Sequence, residues 1–213
     1  MTTGLLLIGA SGLAREVIAA GVAGVTGILD DDPSLIGTSV SGVLVLGPIE
    51  SAAGRSEQLL VCIGPSGSRR DVVRRLREIG VDDERFAVFA ARSARIGSTS
   101  DIGIGSILLD GAVLTADARL GRHVVVMPNC TITHDDVIDD FATLAAGVSL
   151  GGSVHIREAA YLGMNASVHP GVTVGENTTI GMGSVVLTDV PEGQTWAGVP
   201  AKHLPAHQLG AHE

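Results

Sequence analysis

From Ile96 to Val186 an Ile, Leu or Val stands at every sixth position, sixteen in succession. A period of six is neither the 3.6 of a helix nor the bare alternation of a strand. It fits a solenoid in which each hexad supplies one short strand and one corner, so that three hexads close an 18-residue coil. Coils stacked at the interstrand spacing of about 4.8 Å would make this stretch a prism about 25 Å tall. The position two residues before each aliphatic one is mostly small, as at Ala94, Ala112, Ala118, Cys130, Ala142, Ala160 and Ala166, with Asp136 among the exceptions. A narrow interior that takes one branched side chain and one small one per face has little room for rings. That accounts for a chain that is 45% hydrophobic but only 2% aromatic, with 29 glycines to turn it.

The front third follows other rules. Leu5 to Ile8 is a continuous apolar run, as in a strand buried on both faces. Gly9-Ala10-Ser11-Gly12 and a helical stretch from Leu13 to Ala20 follow at once. Strand, glycine turn and helix open a Rossmann-like unit, although Ser11 stands where the full G-x-G-x-x-G fingerprint has glycine. A second strand ends in Asp30-Asp31-Asp32. A carboxylate there suits a ribose or base contact, and equally a solvated turn. A third strand, Leu59 to Ile63, ends at Gly64, and Phe86 to Phe89 reads as a last one. Between them Ser68 to Ile79 is an amphipathic helix with Val72, Val73, Leu76 and Ile79 on its apolar face. Arg69, Arg70, Arg74, Arg75 and Arg77 read as its solvated side. Parallel pairing would gather Gly9, Ser11, Gly12, Asp30, Asp31 and Gly64 along one carboxyl edge, where open α/β sheets bind ligands. The expected division is residues 1–92 for this unit, 93–190 for the prism and 191–213 for a tail.

Charge and cysteine content narrow the function. The formal net charge is −9 and no basic face is visible, which disfavours nucleic acid as a partner. Cys62 and Cys130 form neither a disulfide framework nor a zinc motif and read as small buried groups. No apolar run reaches the roughly 18 residues of a membrane span, and the start has no basic segment of a signal peptide. A soluble, cytoplasmic protein is expected.

Seven histidines carry the candidate chemistry. His134 stands two residues past the inward Ile132, so its side chain should project outward, and Asp135 and Asp136 follow it. A neighbouring carboxylate can fix an imidazole's tautomer and raise its basicity, as a general base requires. His123, His155 and His169 lie at other phases and read as structural or surface groups. Gly151-Gly152 permits close backbone approach, so the Gly152 N–H is a candidate oxyanion donor as well as a plain turn.

The hexad ladder resembles the left-handed parallel β-helix of the hexapeptide acyltransferases. Val185-Val186-Leu187-Thr188-Asp189-Val190-Pro191 and Ala197-Gly198-Val199-Pro200-Ala201-Lys202 look like that family's C-terminal signature. Ile8-Gly9-Ala10-Ser11-Gly12 and the block His134 to Phe141 are similar to sugar acetyltransferases of the sialic-acid O-acetyltransferase and bacillosamine-pathway N-acetyltransferase type. The resemblance implies an α/β Rossmann-like domain followed by the β-helix, a homotrimer, and acetyl-CoA held between neighbouring prisms with no metal. It implies His134 as base with Asp135 in support, and acetyl-CoA contacts at Thr143, Gly152, Met164 and Met182. Acceptor contacts fall on Ser11, Gly12, Leu13, Asp30, Asp31 and Gly64. Three positions depart from the pattern: relatives can carry His at Thr143 and glycine at Met182, and the bacillosamine type has His at Leu13. The implied reaction is acetyl transfer to the amine of a nucleotide-linked amino sugar, with O-acetylation of a sialic acid or other sugar hydroxyl as the alternative. A non-catalytic solenoid that binds sugar nucleotides is the alternative of another class.

Overall fold

Residues 4–205 are described in a computed structural model of the chain; His207 and His212 lie outside them. The hexads fold as their period requires. Each pairs in parallel with the residue 18 positions on: Val113 with Thr131, Arg119 with Val137, Val125 with Thr143. Three parallel sheets result, and they form a parallel β-helix of triangular section. Face 1 carries the strands from Phe89–Ala90 through Thr143–Leu144 to Thr179–Ile180. Face 2 runs from Arg95–Ile96 to Val185–Val186, and face 3 from Asp101–Ile102 to Thr173–Val174. The inward aliphatic residues and the small residues beside them form one core; Ala112, Ala118, Cys130, Ile132, Ala142 and Leu144 are fully buried. Only the first coil is open, where Ile96 is exposed because no rung lies beneath it. Thr195–Ala197 and Lys202–His203 extend face 1 at the other end.

The corners have their own period. Every sixth residue from Gly105 to Gly183 has a positive φ, fourteen in all. Ten are Gly, Asn or Asp, the residues that tolerate the left-handed region. Three of the other four, His123, Phe141 and Ala159, stack on a single edge, the one between faces 3 and 1. Such a conformation costs about 1–3 kcal/mol at a non-glycine residue. Burial offsets it here, because this edge is where the front domain docks.

The front sheet holds β1 (Leu5–Ile8), β2 (Val25–Leu29), β3 (Ser39–Val40), β4 (Val43–Gly47) and β5 (Gln58–Val61), with α1 (Gly12–Ala19) and α2 (Ser66–Glu78). The strand order is β3-β4-β2-β1-β5, parallel except for the β3–β4 hairpin at the rim. All four side chains of β1 are buried, as a strand covered on both sides must be. Leu6, Ile8 and Val61 pack with Val73 and Leu76 of α2 and with Phe141 and Ala159 of the prism edge. Leu5, Leu7 and Leu60 pack with Leu13 and Val17 of α1 and with Ile107 and Val125 of face 1. Both layers of the front core therefore end on the prism. Phe86 makes one parallel bridge to Leu59, whereas Phe89–Ala90 pairs with Ile107–Leu108 and belongs to face 1.

Candidate active site

His134 follows the strand Thr131–Ile132 and sits on the edge between faces 2 and 3. Its side chain is 65% exposed. Its Nδ1 lies 2.8 Å from Asp135 Oδ2. An ionised carboxylate only accepts, so Nδ1 carries the proton and the Nε2 lone pair is left free. Asp135 is the positive-φ corner residue, a conformation that aspartate tolerates and that brings its carboxylate beside the ring. One coil on, at the same corner, is Gly152. A Cβ there would stand 2.4 Å from both Nε2 and Cε1 of His134, so the imidazole lies where a side chain at 152 would be. Among the described residues the Gly152 N–H makes no hydrogen bond, while its carbonyl accepts from Gly171 N.

Beneath this corner Asp136 is fully buried, at a phase that elsewhere holds only uncharged residues, mostly Ala, Val or Ser. Its two oxygens accept from Thr133 N at 2.7 Å and Val154 N at 2.8 Å. Burial pushes its carboxyl up to about 6 despite those bonds. Asp136 thus ties the turn bearing His134 to the turn bearing Gly152. The remaining histidines do other work. His155 Nε2 is 3.0 Å from both oxygens of Asp139. His169 is exposed beside its neighbour's carbonyl. His123 is buried in the domain seam. No three His, Cys, Asp or Glu side chains converge as metal ligands would among the described residues. No described helix is long and apolar enough to cross a membrane.

At the carboxyl ends of β1, β2 and β5 the loops are laced together. Ser11 Oγ donates to Cys62 O at 2.7 Å and caps α1 by accepting from Leu13 N. Asp30 accepts from Ala10 N at 2.7 Å and Asp32 N at 2.9 Å. Asp31 holds Ile49 N at 3.0 Å and pairs with Arg75 at 2.7 Å. Leu13 is buried in the helix–sheet core, so it presents only backbone to this crevice. The strand order reverses between β1 and β5, where the loop of Ser11 and Gly12 is tied to the β5 end through Cys62 O, two residues before Gly64.

Beyond Gly64 a cleft of about 540 Å³ opens between the loop Gly64 to Gly67 and face 1. Its far wall is Met127, Thr143, Ala145, Tyr161 and Thr179. Of this wall sequence reasoning named only Thr143; the apolar outward residues Ile107 and Val125 were the signal that face 1 is a docking surface. Thr143 is buried there, and its hydroxyl donates to Gly64 O at 3.0 Å and accepts from Ser66 Oγ at 2.9 Å. Met164 and Met182 stack on the edge between faces 1 and 2, 48% and 72% exposed. The expected site residues therefore form three groups on one chain. His134, Asp135 and Gly152 share one edge, and Met164 and Met182 another. Gly64 and Thr143 meet at the cleft, beside the crevice of Ser11, Asp30 and Asp31.

A family model for bacterial transferase hexapeptide (six repeats) matches residues 153–188. The chain is similar to a histidine-to-asparagine mutant of perosamine N-acetyltransferase from Caulobacter crescentus, solved in complex with CoA and GDP-perosamine. Identity is 29%, the TM-score is 0.88, and 96% of this chain and 98% of that one are covered. It is also similar to the acetyltransferase domain of PglB from Neisseria gonorrhoeae in complex with acetyl coenzyme A. There identity is 31%, the TM-score is 0.86, and 96% of this chain and 100% of that one are covered. Among curated proteins, galactoside O-acetyltransferase of Lactococcus lactis is 32% identical over 118 residues, 54% of each chain. The match spans between about a quarter and about half of the length of the curated relatives.

Proposed function

Because the chain belongs to the hexapeptide-repeat sugar acetyltransferases, we propose that it transfers the acetyl group of acetyl-CoA directly to the amine of a nucleotide-linked amino sugar. The observation that carries this reading is the exposed His134, its Nδ1 held by Asp135 and its Nε2 free. Nε2 takes a proton from the amine as nitrogen attacks the thioester carbonyl. The Gly152 N–H faces the oxyanion that forms, and the intermediate collapses by expelling the CoA thiolate. No acyl-enzyme is needed, and the two thiols do not suit one. Burial pushes Cys130 up to about 11 and Cys62 higher still, so neither yields a thiolate at neutral pH.

The front domain, read as Rossmann-like, would seat the nucleotide in the crevice of Ser11, Gly12, Asp30, Asp31 and Gly64, with the sugar in the adjoining cleft. Each Asp30 oxygen holds one N–H, and a carboxylate offers about four lone-pair sites, which leaves room for ribose hydroxyls. Acetyl-CoA would lie along Met164 and Met182 with its thioester at Gly152. On one prism those residues occupy different edges, so the site needs a second copy. A left-handed prism in a trimer answers that need. If face 2 turns to the threefold axis, the His134 edge of each copy meets the methionine edge of the next. Face 2 suits the axis: beyond Arg95 in its first coil, its outward Val113, Thr131, Ser149, Ser167 and Val185 are uncharged, whereas face 1 carries the front domain and face 3 carries Asp101, Arg119 and His155. Light scattering is expected to give three chains per particle; a stable monomer under assay conditions would refute this arrangement.

The deciding experiment incubates acetyl-CoA with GDP-, UDP- and dTDP-linked amino sugars and with free sialic acid, and reads products by mass spectrometry. An N-acetylated nucleotide sugar is expected. Acetyl found only on a hydroxyl makes the protein an O-acetyltransferase. Absence of both transfer and calorimetric acetyl-CoA binding makes it a non-catalytic solenoid.

A further inference from the structure

Arg69 was expected on the solvated side of α2, yet it is fully buried and bridges the two domains. Its Nε donates to His123 O at 2.8 Å, and its Nη1 to Ile63 O at 2.7 Å and Gly64 O at 2.8 Å. Its Nη2 reaches Phe141 O at 2.7 Å, Ala142 O at 3.1 Å and Thr143 Oγ1 at 2.9 Å. All five N–H donors of the guanidinium are used, and every acceptor is a neutral oxygen. A buried cation without a carboxylate is costly, so the arrangement needs a reason. Part of it lies in the corner: the carbonyls of the positive-φ residues His123 and Phe141 receive no bond from the backbone ladder. Under the front domain they would be buried acceptors with no donor, and Arg69 supplies one to each.

The other half of the fork points at the cleft. Gly64 and Thr143 line opposite walls, and one guanidinium holds both. Ser66, on the first turn of α2, closes the network through its hydroxyl on Thr143. The exposed ion pairs across the seam, Arg70 with Glu158 at 3.3 Å and Arg122 with Asp83 at 3.6 Å, flank this point and contribute little by comparison.

We propose that Arg69 is a positioning residue that fixes the acceptor-binding loop, residues 62–67, against face 1 and so sets the width and register of the sugar cleft. The proposal rests on the acetyltransferase reading for its substrate. It separates Arg69 from the acetyl-CoA contacts on the methionine edge. Lysine cannot replace it, because one ammonium lacks the planar fork that reaches both walls.

The test compares Arg69→Lys and Ser66→Ala with the parent protein. For folded Arg69→Lys, the acceptor KM is expected to rise about tenfold or more, with the acetyl-CoA KM within about twofold of the parent. Amide exchange should quicken in residues 62–69 but not in residues 131–136. An acceptor KM within about twofold, or equal rises in both KM values, overturns the proposal. If Arg69→Lys does not fold, Ser66→Ala decides in its place: a rise of about threefold confined to the acceptor KM supports the proposal, and no rise overturns it. If the parent acetylates none of the sugars offered, the functional reading fails while the exchange data still judge Arg69. Selective loosening of 62–69 then supports the pin, and uniform or absent loosening overturns it.

Discussion

Replacing His134 by alanine is expected to lower kcat by at least about 10²-fold while leaving the melting temperature within about 2 °C of the parent. The two halves of that expectation have separate causes. A positioned general base contributes typically 10²–10⁴-fold, and among the described residues only His134 combines an exposed ring, a carboxylate on Nδ1 and a free Nε2. Its ring packs against no apolar core, so its loss removes little burial. Gly152→Ala serves as the geometric control. The added Cβ forces the imidazole to swing aside without removing it, and an intermediate loss of about tenfold is expected. Steady-state kinetics with circular dichroism on the same samples check both. Unchanged turnover in His134→Ala would end the general-base mechanism. A lost fold would mean that the histidine is structural.

The ladder from Ile96 to Val186 was legible because an 18-residue coil leaves no freedom: each inward position must be aliphatic or small wherever it falls. The docking of the front domain was harder to see, because it is written in exceptions. The positive-φ corners take Gly, Asn or Asp except at His123, Phe141, Ser153 and Ala159. Three of these share the covered edge, so the missing glycines mark the seam for a reader who has the corner phase as well as the strand phase. Arg69 was misplaced for a related reason. It lies four residues before Val73 and seven before Leu76, on the buried stripe of α2. Its charge argued for solvent, while its spacing argued for the core, and the carbonyls of a distant corner made the spacing win. The hairpin of β3 and β4 had a plain signal too. Ser41-Gly42, both at positive φ, is a two-residue turn of the kind that favours antiparallel strands. The separation of His134 from Met164 and Met182 lay within reach of the 18-residue count but was not drawn: 164 and 182 are one coil apart and share an edge, whereas 134 and 164 are 30 residues apart and cannot.

Acid is expected to weaken the seam through His123. Its ring is buried in edge contact with Phe86 at 4.6 Å and stacked on Phe141 at 5.2 Å. Neither ring nitrogen has a hydrogen-bond partner. Burial, with Arg77 and Arg69 nearby, pushes the imidazole down to about 4, against the smaller upward pull of Asp83 and Asp140. A base whose folded value is depressed contributes stability that is present above its ordinary 6.5 and is lost as pH falls toward 4. Between pH 7 and pH 5 that loss is about 2 kcal/mol. Asp136 acts in the opposite sense. Its value is raised to about 6, so its contribution is complete below 3.8 and is lost as pH rises through 6. Acidification from pH 7 to pH 5 therefore returns about 1 kcal/mol through Asp136. The slope of the parent protein alone cannot separate the two. The difference between the parent and His123→Phe can, because Asp136 is common to both and Phe141 shows that a ring is accommodated at this phase. Urea unfolding at a fixed protein concentration is expected to show the parent losing about 2 kcal/mol more than His123→Phe between pH 7 and pH 5. Parallel pH dependences would mean that protonated His123 finds a partner in the seam, and the buried neutral imidazole would have to be abandoned.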